Sequence, residues 1–115
     1  MSYVLLGIPN CSTVKKARVH LEEKSVPFSF RDLRKQPLGA DEWRALVDQD
    51  DTGTLINTRS PSFRKTGQPA KGLDAETKVK VLLEQPTAMK RPALLRENTL
   101  LQVGYDADFY NSLPS

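Results

Sequence analysis

The single cysteine of this chain, Cys11, lies between an apolar segment and an amphipathic one. The apolar segment, residues 3–8, is a continuous run typical of a strand buried on both faces. Pro9 and Asn10 then provide a turn signal, and a basic amphipathic stretch begins at Ser12. This order predicts a strand, a tight turn and a helix, with the thiol at the start of the helix.

The position of Cys11 favours a reactive thiol. The first turn of a helix has backbone N–H groups without intrahelical partners, and it carries the positive end of the helix dipole. Both stabilise the thiolate, which is the nucleophilic form of cysteine. The alternative is that Cys11 is a small buried hydrophobic residue, as free cysteines often are. Its place directly after the turn at Pro9 and Asn10 favours the reactive role.

The length, charge and cysteine content limit the kinds of fold and binding site that this chain can have. With 115 residues, positions 1–115 are expected to form one domain with a sizeable core. A net charge of +3 suits small anionic ligands or acidic surfaces, and it is too small to predict direct nucleic-acid binding. One cysteine excludes an internal disulfide, and one histidine argues against a zinc site, so no metal is expected.

The sequence also predicts a cytoplasmic protein. It has no basic N-terminal segment followed by a long apolar region, and no apolar run approaches the roughly 18 residues of a membrane span. In a reducing cytoplasm a lone thiol stays free, and small thiols such as glutathione are abundant. Glutathione is therefore an expected co-substrate, and no tightly bound cofactor is expected.

Hydrophobic periodicity predicts the other elements. The predicted helices are residues 12–24, 40–48, 74–85 and 106–113. The predicted strands after the first are residues 28–31, 92–96 and 99–103, the last two joined by a two-residue turn. Residues 50–72 are interpreted as irregular or short-helical, with a weak helical tendency at 54–58. The element order is β-α-β, then helices, then β-β-α.

The same periodicity separates core from surface. The predicted core residues of the helices include Val14, Ala17, Leu21, Trp43, Val79, Leu82, Leu83 and Phe109. His20 lies in mid-helix among charged residues, so it is predicted to be a surface residue.

Three segments together indicate a family. Residues 7–18 have the sequence Gly-Ile-Pro-Asn-Cys-Ser-Thr-Val-Lys-Lys-Ala-Arg, and residues 89–92 have Met-Lys-Arg-Pro. Residues 55–60 have Leu-Ile-Asn-Thr-Arg-Ser. In their order along the chain, and with β-α-β followed by β-β-α, these segments resemble the arsenate reductase/Spx (ArsC-like) superfamily of thioredoxin-like proteins. Within that superfamily they resemble a small bacterial YffB-like branch. The resemblance covers essentially the whole chain.

The resemblance implies an α/β, thioredoxin-like fold. Its features are a four-stranded mixed sheet, flanking helices and an inserted helical segment around residues 39–85. It also implies that Arg91 and Pro92 lie opposite Cys11, with a cis peptide bond before Pro92. From sequence alone that isomer has a prior of only about 5%.

The basic surroundings expected for the catalytic Cys11 suggest roles for the other site residues. Arg91 and Lys15 would bind ligand carboxylates and stabilise the thiolate, and Pro92 would shape the docking groove. Arg59 matches an anion-binding arginine of the family. For Lys15, Arg59 and Arg91 the alternative is an ordinary solvent-exposed side chain.

The chain departs from its relatives in two places. Spx-type redox regulators carry Cys-x-x-Cys, whereas Cys11 is followed by Ser-Thr-Val, so any mixed disulfide must be resolved by an external thiol. Arsenate reductases use a third arginine after the final hairpin, where this chain has Val-Gly-Tyr at residues 103–105. Arg96, in the preceding strand, is the substitute that the sequence offers.

Three functions follow from these features. The first is a glutathione-dependent monothiol reductase, a thiol-dependent oxidoreductase that acts on a small anionic or disulfide substrate with glutathione or a glutaredoxin-like thiol as partner. The second is an Spx-like regulator that binds RNA polymerase. The third is an arsenate or other oxyanion reductase, for which the missing arginine predicts failure.

Overall fold

The N-terminal part of the fold is a β-α-β unit that carries the cysteine. In the computed structural model, which describes residues 3–114, its elements are β1 (Tyr3–Gly7), α1 (Ser12–Glu23) and β2 (Phe28–Asp32). β1 and β2 are parallel, with Gly7 aligned to Asp32 at the carboxyl ends of the two strands. The turn that contains Cys11 therefore lies at the carboxyl edge of this pair, where open α/β sheets bind their ligands.

The C-terminal part is a β-hairpin followed by a short helix. Its elements are β3 (Ala93–Arg96), β4 (Thr99–Val103) and α5 (Ala107–Asn111). β3 is antiparallel to both of its neighbours, β1 and β4. The strand order is β2-β1-β3-β4, which confirms the predicted four-stranded mixed sheet. The predicted two-residue turn is also present, and Glu97 adopts a positive φ of 58° in it.

Three helices occupy the chain between β2 and β3. They are α2 (Ala40–Gln49), α3 (Pro61–Arg64) and α4 (Ala75–Glu84), and a 3-10 turn follows at Pro86–Ala88. Asp74 caps α4, since its carboxylate accepts a hydrogen bond of 2.8 Å from the N–H of Thr77. Within residues 3–114, no helix has the length and apolar content needed to cross a membrane.

β1 supplies side chains to two cores on opposite faces of the sheet, because successive residues of a strand alternate in direction. Leu5 packs with α1 and α5, whereas Leu6 packs with α2 and α4, and both are fully buried. α1 lies very close to the end of β1, where a Cβ added to Gly7 would be 2.8 Å from Cγ2 of Val14. This close approach fixes the start of α1, and with it Cys11, against the end of the central strand.

The structure corrects part of the predicted core. Leu82 is fully buried as predicted, but Leu83 is 46% exposed and Val81 is buried instead. Val79 is only partly buried. The apolar residues of α4 allow two different faces of the helix to be buried. Because α4 packs against α2, the buried face is the one that contains Val81 and Leu82.

The short C-terminal helix and the middle segment also differ from the predictions. Trp43 is fully buried as expected, whereas Phe109 lies at the edge of the core and Tyr110 takes the central position. The weak helix predicted at 54–58 is wrong, because Ile56 instead forms an antiparallel β-bridge with Met89.

Tyr110 is buried in the core between α1 and α5. Among the residues that the structure describes, its hydroxyl has no hydrogen-bond partner. Burial raises the pKa of Tyr110 well above its usual value, and the charge of Tyr105 adds to the shift. An unfolded tyrosine ionises near pH 10, so the contribution of this residue to stability is complete below about pH 10 and is lost as pH rises above it.

We expect the substitution Tyr110→Phe to reduce the alkaline loss of stability. A phenylalanine cannot ionise in the unfolded chain, so the variant should lack a loss of about 1.4 kcal/mol per pH unit above pH 10. At pH 7 it should be at least as stable as the wild type, because no hydrogen bond in the described residues is removed. Urea unfolding at pH 7 and in steps above pH 10 checks both points, and equal alkaline slopes in the two proteins would contradict the prediction.

Candidate functional site

Cys11 is the N-cap residue of α1. Its backbone is extended, with φ −102° and ψ 125°, and its carbonyl accepts a hydrogen bond of 3.0 Å from the N–H of Lys15. The side chain makes no capping hydrogen bond within the part of the chain that the structure describes. Cys11 as a residue is partly exposed, and it packs against the edge of the core between α1 and α5. It therefore lies at the helix N-terminus, as the sequence predicts, and solvent reaches its surroundings.

A second wall of the site comes from the chain before β3. The segment at Ile56 runs antiparallel to the segment at Met89, and two backbone hydrogen bonds hold them together. The N–H of Asn57 donates to the carbonyl of Ala88 at 2.8 Å, and the N–H of Lys90 donates to the carbonyl of Leu55 at 2.7 Å. This pairing brings Asn57 and Lys90 to a cleft that Cys11 also lines.

The peptide bond between Arg91 and Pro92 is cis, as the family resemblance implies. Pro92 is buried, and its carbonyl accepts a hydrogen bond of 2.7 Å from the N–H of Gly104. Pro92 therefore joins the start of β3 to the end of β4 behind the cleft, while the half-buried Arg91 lines the cleft itself.

Gly104 provides space for the side chain of Lys90. Gly104 has a φ of 80°, in the left-handed region that glycine adopts readily. A Cβ built on it would lie 3.0 Å from Cε of Lys90, so the lysine stem runs directly over the glycine. The aliphatic part of the Lys90 side chain therefore lies against Gly104.

These walls enclose a cleft of about 320 Å³, called the cysteine cleft below. Its lining residues are Cys11, Thr13, Asn57, Met89, Lys90, Arg91, Gly104 and Tyr105. Two of them are cationic, and no carboxylate lines the cleft among residues 3–114. The site can therefore hold an anionic group close to a thiol.

The sequence-predicted site residues divide into two groups. The structure brings Arg91 into the cysteine cleft with Cys11, and Pro92 lies directly behind it. Lys15 is exposed and lines a neighbouring groove beside α1 instead. Arg59 is also exposed and does not line the cleft, although its N–H bonds Oδ1 of the neighbouring Asn57 at 3.1 Å.

Arg96 lies away from the cysteine cleft. It ends β3, whereas the cleft is at the start of that strand, about 10 Å away at the usual rise per residue. Its guanidinium lies over the ring of Tyr3, 5.7 Å from the ring centre. The structure therefore does not bring Arg96 to the place of a third anion-binding arginine.

The predicted site lacks several residues that line the cleft, among them Lys90, Asn57 and Tyr105. Lys90 precedes Arg91 in the Met-Lys-Arg-Pro segment, so the segment that indicates Arg91 could also have indicated Lys90. Asn57 reaches the cleft only through the bridge between Ile56 and Met89, for which the sequence carries no local signal. Tyr105 follows Gly104 in the turn after β4, and this turn places it at the cleft.

His20 is not the simple surface residue that was predicted. Its Nδ1 lies 2.7 Å from the hydroxyl of Tyr105, and its Nε2 lies 2.7 Å from Oδ1 of Asn111. Since the amide oxygen of Asn111 can only accept, Nε2 donates to it, and in the neutral ring Nδ1 accepts from Tyr105. His20 therefore links α1, the turn after β4 and α5, and fixes one wall residue of the cysteine cleft.

We expect the substitution Arg91→Gln to weaken the preference of Cys11 for anionic reagents. The removal of one cation from the cleft should lower the ratio of alkylation rates with iodoacetate and iodoacetamide by about two- to fivefold at low salt. Because both reagents react with the same thiol, a general change in thiol reactivity cancels in this ratio of rates. The matched control is Arg44→Gln, which removes an exposed arginine paired with Asp48 on α2. A wild-type ratio in the Arg91 variant would show that this guanidinium does not act on the reagent.

Comparison with known proteins gives matches over almost the whole chain. The model of the ArsC family matches residues 6–113, which include both the cysteine segment and the Lys-Arg-Pro segment. The global transcriptional regulator Spx of Bacillus subtilis (strain 168) is 33% identical over 102 residues, or 87% of this chain and 77% of that protein.

Solved structures show the same similarity in three dimensions. A structure named YFFB (PA3664) protein is 34% identical and has a TM-score of 0.84, with 96% of each chain covered. The solution structure of an arsenate reductase (ArsC) related protein from Brucella melitensis is 33% identical and has a TM-score of 0.76, covering 97% of this chain and 93% of that one. The predicted ArsC-like architecture is thus confirmed.

Proposed function

This chain belongs to the ArsC family, and from that premise we propose that it is a glutathione-dependent thiol reductase with one nucleophilic cysteine. The observation that carries the proposal is the partly exposed Cys11 in a cleft with Lys90 and Arg91, in a chain without a second cysteine. The proposal also places the protein in the cytoplasm, where glutathione is abundant.

The reaction consists of two thiol–disulfide exchanges. The Cys11 thiolate attacks one sulfur of a disulfide substrate, forms a mixed disulfide with that half and releases the other half as a thiolate, which takes up a proton. The thiolate of glutathione then attacks the substrate sulfur of the mixed disulfide. This step restores the Cys11 thiolate and leaves the substrate half joined to glutathione. When that half is itself glutathionyl, the product is glutathione disulfide.

The proposed roles of the surrounding residues follow from their positions. Arg91 and Lys90 line the same cleft as Cys11, where their positive charges would hold a ligand carboxylate. Lys15, one helical turn beyond Cys11, would bind a carboxylate further from the sulfur. Pro92 holds the two strand ends together behind the cleft.

The test is the formation and turnover of a glutathione adduct. Incubation with glutathione disulfide should give one glutathionyl group per chain by mass spectrometry, and peptide mapping should locate it at Cys11. Excess glutathione should then remove it, and a coupled assay with glutathione reductase should show catalytic turnover of a small disulfide. A protein that forms no adduct, or an adduct that glutathione does not remove, would refute the proposal.

The second candidate is a transcription regulator that acts by binding RNA polymerase. It is favoured by the 33% identity to a global transcriptional regulator over 77% of that protein. Affinity purification from bacterial lysate separates the two functions. Stoichiometric recovery of polymerase subunits, unchanged by Cys11→Ser, would support the regulator, whereas no recovery together with glutathione turnover would support the reductase.

Arsenate reduction has less support from the site. Where the resemblance implies a third arginine, this chain has Val-Gly-Tyr at residues 103–105, and Arg96 lies at the far end of β3. We therefore expect no arsenate-dependent oxidation of glutathione under conditions in which a small disulfide is reduced.

A further inference from the structure

A groove runs along α1 beside the cysteine cleft, and the reaction proposed above does not fully use it. It lies between one face of α1 on one side and Tyr105 and Asn111 on the other, and it has a volume of about 530 Å³. The α1 residues that line it are Lys15, Lys16, Val19, His20 and Glu23. This α1–α5 groove is the larger of the two cavities.

The α1–α5 groove lies next to the cysteine cleft. Tyr105 lines both cavities, so the two are neighbours. Lys15, the first groove residue of α1, lies one helical turn after Cys11 and is joined to it by a backbone hydrogen bond of 3.0 Å. A ligand attached to the sulfur can therefore extend into the groove without crossing another element.

The groove itself spans about 12 Å of α1, from Lys15 to Glu23, and its far end lies beyond the reach of a small thiol bound to Cys11. From Cys11 to Glu23 α1 rises about 18 Å, at about 1.5 Å per residue. An extended polypeptide covers that distance with about five residues. Glutathione has only one amino acid on either side of its cysteine, so it would occupy only the end nearest the sulfur.

Hydrogen bonds between the two sides of the groove fix its shape. The hydrogen bonds from His20 to Tyr105 and to Asn111 hold its two sides at a fixed separation. Lys24 adds a bond of 3.0 Å to the carbonyl of Asn111. Val19, one of the two large apolar side chains that are markedly exposed in the described chain, contributes an apolar surface that is 51% exposed.

The charges of the groove are ordered along α1. Lys15 and Lys16 lie at the end near Cys11, whereas Glu23 lies at the far end. A ligand that matches this order has acidic groups close to its sulfur and an apolar group next to them. Electrostatic complementarity of this kind selects partners and their orientation.

We infer that the α1–α5 groove binds the polypeptide segment that flanks the oxidised cysteine of a protein substrate, with acidic residues next to that cysteine. The inference rests on the proposed function and adds its substrate class, a protein mixed disulfide. The exchange is the one written above: Cys11 attacks one sulfur, that sulfur stays joined to Cys11, and the other leaves as a thiolate. In this case the half that stays on Cys11 is the polypeptide, and it lies along α1.

The experiment uses three synthetic peptides that contain one cysteine joined to thionitrobenzoate. They are identical except that the residues flanking the cysteine on both sides are glutamate, glutamine or lysine. Attack by Cys11 at the peptide sulfur releases coloured thionitrobenzoate, so this first step is measured without glutathione. The same reaction with 2-mercaptoethanol, which carries no charged group besides its thiolate, gives the reference reactivity of each peptide, by which each rate is divided.

The wild type should react with the glutamate peptide about threefold to tenfold faster than with the glutamine peptide at low salt, and slowest with the lysine peptide. Lys16→Glu should reduce the ratio of the glutamate to the glutamine peptide to about one or below. The matched control Lys80→Glu, an exposed lysine on α4 outside both cavities, should keep the wild-type ratio.

The two proposals fail in different ways. Equal corrected rates for the three peptides, or the same ratio in Lys16→Glu and the wild type, would overturn the groove assignment even if glutathione turnover is observed. Glutathione is added after the first step. If it then fails to release the peptide from Cys11, the reductase function fails, whereas a charge preference in the first step would still support the groove.

Discussion

Replacing Cys11 by serine is expected to abolish glutathione-dependent disulfide reduction. A hydroxyl cannot form the mixed disulfide on which both exchange steps depend, and it is not a comparable nucleophile at neutral pH. The rate should fall by a factor on the order of 10³ or more, the usual result of removing a covalent nucleophile. The coupled glutathione reductase assay with a small disulfide measures this loss, and mass spectrometry should show no glutathione adduct on the variant.

The fold should not suffer from this substitution. Cys11 is partly exposed, and its side chain makes no capping hydrogen bond in the described residues, so serine fits the same N-cap position. Circular dichroism and urea unfolding should match the wild type. The matched control is Ser12→Ala, which changes the exposed neighbouring residue and should keep most of the activity. Full activity in Cys11→Ser would refute the proposed mechanism.

Replacing Leu82 by alanine is expected to give a large loss of stability. Leu82 is fully buried in the core between α2, α4 and the sheet, and the truncation removes buried methyl groups and leaves a cavity. The free energy of unfolding should fall by about 2–5 kcal/mol. That is a large part of the roughly 5–15 kcal/mol typical of a domain, so a large fraction could be unfolded at 37 °C.

The next residue provides a matched control. Leu83 is 46% exposed, so Leu83→Ala should change the free energy of unfolding by less than about 1 kcal/mol. The same chemical change at adjacent positions of α4 thus has very different effects. Urea titration of the two variants measures the contrast, and similar losses in both would mean that α4 is rotated from the orientation described.

The elements around Cys11 could be predicted from sequence because their signals are local. The apolar run, the turn at Pro9 and the amphipathic spacing of Val14, Ala17 and Leu21 lie within a single stretch of chain. The N-cap of α4 at Asp74 is also a local signal. The position of Arg91 and the cis bond before Pro92 came from the family resemblance, since residue types alone do not indicate either.

The features that the sequence did not indicate depend on contacts between distant parts of the chain. The buried stripe of α4 is chosen by its contact with α2, and helical spacing alone permits Leu83 as well as Val81. Asn57 reaches the cleft because Ile56 pairs with Met89. His20 finds Tyr105 and Asn111 across 85 and 91 residues of sequence. No local pattern specifies such partners.

The lysine stem over Gly104 has a consequence for how this cleft could change its specificity. Any larger residue at position 104 would need the unfavourable positive φ, and its Cβ would crowd the flexible end of Lys90. Because a lysine tail can move aside, an arginine at this position would add a third cation at the cost of strain in the backbone of residue 104. The backbone conformation of residue 104, rather than a lack of space, therefore opposes the change of this cleft into an oxyanion site.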